Sequence, residues 1–461
     1  MKESTIAAIA TAPGEAGVGI VRISGEESLR ILTQLFSPQR GEKIGSKDNR
    51  RMIFGQVKDP NSLELVDEAL AVYMVAPQTY TREDVVEIQC HGGLVSVKKI
   101  LTLCLQAGAE LAGPGEFTKR AFLNGRFDLA QAEAVMELIS AKTNASYQNS
   151  LKQLSGNLSQ QVSGIRRNLL EVLASITVAT DFPENEDEAI TVQRMKGFLE
   201  SARLEVERLL ETAETGRILR DGVKTVILGK PNVGKSSLMN ALLRENRAIV
   251  TEVAGTTRDS LEEYVNLHGV PLRLIDTAGI RETNDQVEKI GVDRAVDWVG
   301  RADLLVAVFD KSSQLEEEDY RVLALLSERK AIILLNKSDL EECISREIMA
   351  KEVPNAMIIE TSMATQQGLE TFENAIKDLF FHGGIDLHHE TVISNVRHKN
   401  LLEKTLDSMQ EAIQAIEAGM PVDCFEVDVK DAWQSLGEIS GDAVTEDVLD
   451  QVFQEVCIDH Y

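Results

Sequence analysis

The apolar positions of the chain fall into four regions of different spacing. Over residues 1–119, short apolar runs alternate with glycine-rich and polar turns. Ile6–Ile9, Gly19–Ile23, Met52–Val57, Ala69–Val75 and Val85–Cys90 each predict a strand, and 97–107 predicts a helix. The mixture predicts a compact α+β domain. Over 120–215 the strand signal vanishes. Leu129, Ala132, Val135, Met136 and Ile139 recur at three- and four-residue steps, as do Ile165, Leu169, Val172, Leu173 and Ile176. That spacing predicts long bundled helices, interrupted at Pro183 and the acidic run Glu184–Glu188. Over 216–380, the runs Thr225–Leu228, Leu272–Ile275, Leu304–Phe309, Ala331–Leu335 and Met357–Glu360 alternate with helical spacing, as in a doubly wound α/β domain. Helical spacing returns over 381–461. The reading is a multidomain α/β and α protein, with 120–215 and 381–461 packed together and the α/β domain inserted between them.

Composition changes this picture in two ways. A chain of 461 residues fits two to four domains. Its 74 Asp and Glu against 48 Lys and Arg give a net charge of −26, which argues against gripping nucleic acid over most of the surface. Half of the excess lies in 381–461, where 17 acids face 4 Lys and Arg. No apolar run approaches the roughly 20 residues of a bilayer span, and no secretory leader pattern is present. The five cysteines are scattered and never in CxxC spacing, so a cytoplasmic protein without structural zinc is expected.

Candidate chemistry concentrates in the α/β region. Gly229-Lys230-Pro231-Asn232-Val233-Gly234-Lys235-Ser236 follows a predicted strand and precedes the helical run Leu238–Leu243. In that context its backbone N–H groups cradle phosphates. Lys235 reaches the β- and γ-phosphates and Ser236 ligates Mg²⁺. Taken alone, the run could be a fortuitous glycine-rich turn. Three further motifs follow in order. Asp276-Thr277-Ala278-Gly279 closes one predicted strand, for the Mg²⁺ shell and the γ-phosphate. Asn336-Lys337-Ser338-Asp339 closes another, and Ser362 supports the base from a second loop. Asp339 can accept from guanine N1–H and the 2-amino group together. Adenine offers no such donor pair, so GTP is favoured over ATP. Gly255-Thr256-Thr257-Arg258-Asp259 lies between the first two motifs, as a switch loop does. Together these predict a Ras-like P-loop GTPase binding GTP or GDP, with Ser237 beside Ser236 in the same turn. Ile280 follows Gly279 where Ras-type enzymes carry a water-orienting glutamine. Glu282, two positions on, is either a substitute or a solvated charge, and spacing does not decide. Asn232 is either a ligand for a charge-compensating K⁺ or a turn residue.

Beyond the GTPase motifs, the flanks resemble a known family along most of the chain. Gly17–Gly25, Tyr80–Gly93 and Pro114–Arg126 are similar to the tRNA-modification GTPases of the MnmE (TrmE) type. The resemblance implies an N-terminal folate-binding, dimerising domain, a helical domain and an inserted G domain. It implies Ser236 and Thr257 as Mg²⁺ ligands, and Asn232, Thr251, Val253 and Thr256 as K⁺ ligands. Glu282 takes the catalytic position, and Arg22, Glu87 and Arg126 are folate contacts. Without the resemblance, Arg22 and Glu87 read as ordinary strand charges. It further implies a homodimer that works with an FAD-dependent MnmG (GidA)-type partner. The pair adds an aminomethyl or carboxymethylaminomethyl group to carbon 5 of the wobble uridine of certain tRNAs, using a tetrahydrofolate one-carbon unit. No membrane partner is expected.

The sequence departs from the family mainly in the folate half. Asp459, His460 and Tyr461 stand where the family ends Gly-Lys after a cysteine matched by Cys457. Cys457 also sits at helical spacing from Phe453, as a core cysteine would. Val233 replaces a usual small residue. With 381–461 so acidic, most tRNA affinity is expected from the partner. This chain is expected to contribute near Lys119, Arg120 and Arg126.

Overall fold

The computed structural model of the chain describes residues 4–40, 43–181, 188–246, 263–275, 298–327, 329–380 and 391–456. It divides into two compact units: Met1–Met136 with Glu252–Thr256 and Gly437–Tyr461, and Glu137–Thr251 with Thr257–Leu436.

The first unit contains β1 (Ile6–Ile9), β2 (Ala16–Ser24), α1 (Ser28–Leu35), β3 (Phe36–Pro38), β4 (Met52–Lys58), β5 (Leu65–Met74), β6 (Val85–Gly92), α2 (Leu94–Gln106), β7 (Glu110–Leu111), α3 (Glu116–Leu123) and most of α4 (Leu129–Ser140). Its sheet runs β3-β4-β5-β6-β2-β1-β7. Every neighbouring pair is antiparallel except β1 with β7. Strand side chains alternate faces, so Val21, Ile23, Ala71, Val86 and Ile88 turn to one side. Ile31 and Leu32 of α1, with Ile100 and Cys104 of α2, complete that core. Burial pushes the Cys104 thiol up to about 12, which leaves it unreactive. The alternate positions, Arg22 and Glu87 among them, face the other way.

The second unit begins with α5 (Asn144–Leu154), α6 (Asn157–Asp181), α7 (Glu188–Glu211) and α8 (Ala213–Asp221). Thr143 caps α5, its side chain accepting from Ser146 N at 3.1 Å. α6 buries Leu158, Val162, Ile165, Leu169, Val172 and Ile176, one stripe at three- and four-residue steps. The sheet that follows comprises β8 (Val223–Leu228), β9 (Glu263–Leu267), β10 (Val270–Leu274), β11 (Leu304–Asp310), β12 (Ala331–Asn336) and β13 (Met357–Glu360). Its helices are α9 (Lys235–Asn246), α10 (Glu317–Leu325), α11 (Arg346–Glu352) and α12 (Leu369–Phe380). Strand order is β13-β12-β11-β8-β10-β9, parallel except for β9. Apolar clusters cover both faces, which is why β12 is buried at every position. α13 (Val396–Glu417) and α14 (Glu426–Ser440) follow. α7 packs against both α6 and α13, and Arg166 of α6 lies 4.2 Å from the ring centroid of Trp433 on α14. α15 (Glu446–Val456) belongs to the first unit, where Leu449, Val452 and Phe453 pack on Leu129 and Ala132.

The segment 391–394 is clamped by polar side chains. Asn149 and Gln153 donate to Val392 O at 3.2 and 3.0 Å, and Ile393 N donates to Thr212 Oγ1 at 3.1 Å. Gly216 of α8 makes this approach possible, because a Cβ there would lie 2.0 Å from Ile393 O.

One expectation holds in type but only along part of the helix. α4 is a helix, but Ile139 is 59% exposed while Glu133 is buried. α15 packs on Leu129 and Ala132, the first part of the stripe that the apolar spacing marked, and Ile139 at its other end is left exposed.

Candidate functional sites

At the end of β8 the chain turns through the glycine-rich loop into α9. Gly229 and Gly234 have φ of +145° and +110°, the region open to glycine. A Cβ on Gly234 would also lie 2.1 Å from Asn336 Nδ2, and one on Gly229 2.4 Å from Val308 O. The loop therefore needs both glycines sterically. Asn232 takes φ +62°, which asparagine tolerates well, and its side chain is exposed. Val233 points the other way, 1% exposed within the core that holds Leu238 and Met239. Its departure from a small residue is thus a packing choice beneath the loop.

Lys235 Nζ donates to Gly229 O at 2.6 Å and Lys230 O at 2.7 Å, so the amine spans the loop. Ser236 and Ser237 are exposed in the first turn of α9. Lys230 escaped the motif reading. Its amine pairs with Glu316 Oε2 at 3.0 Å and Asp319 Oδ2 at 2.9 Å, tying the loop to the start of α10. Burial would lower the Lys230 pKa, but the two carboxylates outweigh it and hold it above the ordinary value.

The loop after β12 meets this one. Asn336 is 2% exposed; its Nδ2 donates to Val233 O at 2.7 Å and its Oδ1 accepts from Met363 N at 3.1 Å. Asp339 is exposed, and its Oδ1 accepts from Ser362 Oγ at 2.6 Å. Ser362 is fully buried and its N–H donates to Gln367 O at 3.0 Å, so the serine that orients Asp339 is itself fixed. Lys337 Nζ donates to Asp310 Oδ2 at 2.5 Å. Burial would raise the Asp310 pKa, but Lys337 and Ser312 more than offset it and keep the carboxyl below its usual range.

These contacts bring Asn232, Val233, Gly234, Lys235, Ser236, Ser237, Asn336, Lys337, Asp339 and Ser362 to one end of the parallel sheet, at the strand carboxyl ends where such folds bind ligands. Thr251, Val253, Thr256, Thr257, Asp276, Thr277, Ala278, Gly279, Glu282 and Cys457 lie outside the described residues.

A second cluster forms in the first unit. Arg22 of β2 and Glu87 of β6 face each other in register and pair at 2.8 Å. The Arg22 guanidinium lies 5.5 Å from the Tyr80 ring centroid and 5.6 Å from that of Phe117. Arg126 lies 4.7 Å from the Tyr80 and Phe127 ring centroids and donates to Tyr80 O at 2.8 Å. Arg22 and Arg126 thus converge on Tyr80, and Glu87 joins them through its pair with Arg22. Two cations on an aromatic ring, one of them paired with an acid, suit a planar, partly anionic ligand.

The basic contact expected near Lys119, Arg120 and Arg126 is corrected at Lys119 and Arg120, while Arg126 is exposed. Arg120 is 6% exposed, paired with Glu83 at 3.1 Å and Glu116 at 2.7 Å, and it donates to Ser4 O at 2.7 Å. Lys119 pairs with Asp450 of α15. A guanidinium buried in its own salt-bridge network has no face for a phosphate. Its role is to fasten α3 to the sheet.

The chain matches the family model described as "MnmE helical domain" over residues 129–457, and that described as "GTP-binding protein TrmE N-terminus" over residues 5–126. It is 51% identical over 456 residues to the "tRNA modification GTPase MnmE" of Alkaliphilus metalliredigens (strain QYMF), covering 99% of each chain. It is 48% identical to the protein of that name from Clostridioides difficile (strain 630), again over 99% of both. Among solved structures it is similar to the G domain of the T. maritima FeoB iron transporter, at 30% identity, with a TM-score of 0.26 and coverage of 34% of this chain and 97% of that one. The two family matches take in the sheet that carries Arg22 and Glu87 and the region that carries the phosphate loop, and the chain belongs to the MnmE (TrmE) family.

Proposed function

We propose that the chain is a guanine-specific GTP hydrolase acting in tRNA modification. The observation that carries this reading is the junction of Asn336 with Val233 and Met363, beside an Asp339 held by Ser362. It fixes the phosphate loop and the base-reading carboxylate relative to each other. The phosphate end fits a nucleotide: two sterically required glycines lead into the N-terminus of α9, whose N–H groups favour anions.

In this reading Lys235 neutralises β- and γ-phosphate charge, and Ser236 with Thr257 holds Mg²⁺. Asp276 and Gly279 complete that end. Asn232, with Thr251, Val253 and Thr256, holds K⁺. When bound by these residues, the two cations would supply charge compensation for the γ-phosphate. Glu282 orients the attacking water, since Ile280 cannot. The Arg22, Glu87 and Arg126 cluster would hold a tetrahydrofolate derivative, the source of a one-carbon unit when bound.

The wider reading follows the family. The G domain, 216–380, is inserted between helical segments 120–215 and 381–461, and 1–119 dimerises. The homodimer acts in the cytoplasm with an FAD-dependent MnmG (GidA)-type partner. The product carries an aminomethyl or carboxymethylaminomethyl group on carbon 5 of the wobble uridine. The clamp on 391–394 supports coupling of hydrolysis to the helices, because it ties the chain leaving the sheet to α5 and to the residue that precedes α8. Mass spectrometry of wobble uridines in a strain lacking the gene tests the reading. Loss of the modification supports it, and a full complement of modified uridine refutes it.

A further inference from the structure

The first unit carries a second feature that neither the GTPase reading nor the Arg22 cluster uses. A cavity of about 580 Å³ opens at the β3–β4 edge of the sheet, lined by Arg40, Lys47, Asp48, Arg51, Met52 and Phe54 among others. In a chain of net charge −26, residues 39–58 hold six Lys and Arg against two acids. The one acid in the lining is tucked back. The Asp48 side chain is 13% exposed and accepts from Gly45 N at 3.2 Å. Arg51, by contrast, is 73% exposed and only 3.7 Å from Asp48, an open pair that contributes little and leaves the guanidinium available.

Residues 44–50, which carry Lys47 and lead into Arg51, are held by several contacts. Ser46–Asp48 form one turn of 3₁₀ helix, and Ile44 just before it is buried in the core of the sheet. Just after it, Arg50 N donates to Tyr73 O at 2.7 Å, and Asn49 Oδ1 accepts from Val75 N at 3.0 Å. Gly55 on β4 lets β3 close against it, since a Cβ there would lie 2.4 Å from Ser37 O. Next to the charges, Phe54 and Met52 are 43% and 56% exposed. The cavity therefore combines cations carried on an anchored turn with an exposed aromatic face, and it is far larger than a single phosphate needs.

We propose that this cavity is a direct RNA contact, with Arg40, Lys47 and Arg51 taking backbone phosphates and Phe54 stacking an unpaired base. Cations along a groove with an aromatic platform are what single-stranded nucleic acid binds. The inference rests on the tRNA-modification reading and deepens it. It moves this chain's contribution to tRNA affinity from Lys119 and Arg120, which are spent on internal pairs, to the opposite edge of the sheet.

The test is fluorescence anisotropy of the full chain with a labelled tRNA anticodon stem-loop and with a blunt RNA duplex, at several salt concentrations. GTP turnover is measured on the same samples. Charge reversal at Arg40, Lys47 and Arg51 together should weaken stem-loop binding about tenfold or more and lower the salt slope by about 2 to 3. Arg51→Ala, a surface truncation, should weaken it in the same direction. Phe54→Ala should weaken the stem-loop by about tenfold and leave the duplex unchanged. Lys98→Glu with Lys99→Glu, on the exposed side of α2, should bind as the parent does. Equal affinity of parent and reversed cavity overturns the proposal, as does an equal loss in the α2 control. A loss of binding to phosphatidylglycerol vesicles with RNA binding intact also overturns it. If any of these occurs while GTP turnover persists, this inference fails and the GTPase reading stands. Absence of GTP turnover in the parent is the separate failure of that reading.

Discussion

Asn336, at the carboxyl end of β12, donates from Nδ2 to the carbonyl of Val233, 103 residues earlier in the phosphate loop, at 2.7 Å. The same amide accepts from Met363 N, so one buried side chain joins three loops. Asn336→Ala leaves a carbonyl and an N–H without their partner. A loss of about 1–3 kcal/mol is expected, with weaker nucleotide binding. Thermal unfolding with and without GDP checks this; an unchanged midpoint in both states contradicts the joint.

Asp339 should decide the base. Asp339→Asn replaces an acceptor-only carboxylate with an amide that can accept from N1–H and donate to a carbonyl at position 2. Guanine then loses its second partner, whereas xanthine gains a matched pair. Competition binding should show GTP weakened and xanthosine triphosphate strengthened. Retention of GTP preference would remove Asp339 from the base site.

Glycine inside a helix costs about 1 kcal/mol relative to alanine, so Gly216→Ala in α8 would ordinarily stabilise. Here the added Cβ meets Ile393 O at 2.0 Å, backbone against side chain. Net destabilisation of about 1–3 kcal/mol is expected from overpacking. A denaturant titration that shows stabilisation would refute the close approach.

Tyr73 gives a pH signature for the first unit. Burial, and then its 2.7 Å hydrogen bond to Asp84, push the phenol up to about 12 from 10.0. The fold favours the neutral phenol, so its contribution is whole below pH 10 and fades as pH rises towards 12. Ultraviolet titration should find one tyrosine ionising near pH 12, absent in Tyr73→Phe.

The sequence made strand positions and the phosphate loop legible because both depend on local order. β1 and β13 have the bounds that the apolar runs predict, and glycine at 229 and 234 answers a backbone need. Faces and pairings were less legible. Arg120 reads as a surface charge until Glu83 and Glu116 are brought to it. Ile139 reads as core, but α15 packs only on Leu129 and Ala132 at the start of that stripe and leaves Ile139 exposed. The short edge strands β3 and β7, of three and two residues, are below the length at which alternation shows. Tyr80 lay within a recognised stretch, but its place between Arg22 and Arg126 depends on contacts 46 and more residues distant in sequence.

The central claim is hydrolysis of GTP at a site that uses K⁺ and Glu282. Its most direct test is GTP turnover by the parent chain and Glu282→Ala, each in KCl and in NaCl. The account predicts fast turnover only for the parent in KCl, with a fall of at least about 100-fold for Glu282→Ala. Equal rates in all four conditions would contradict it.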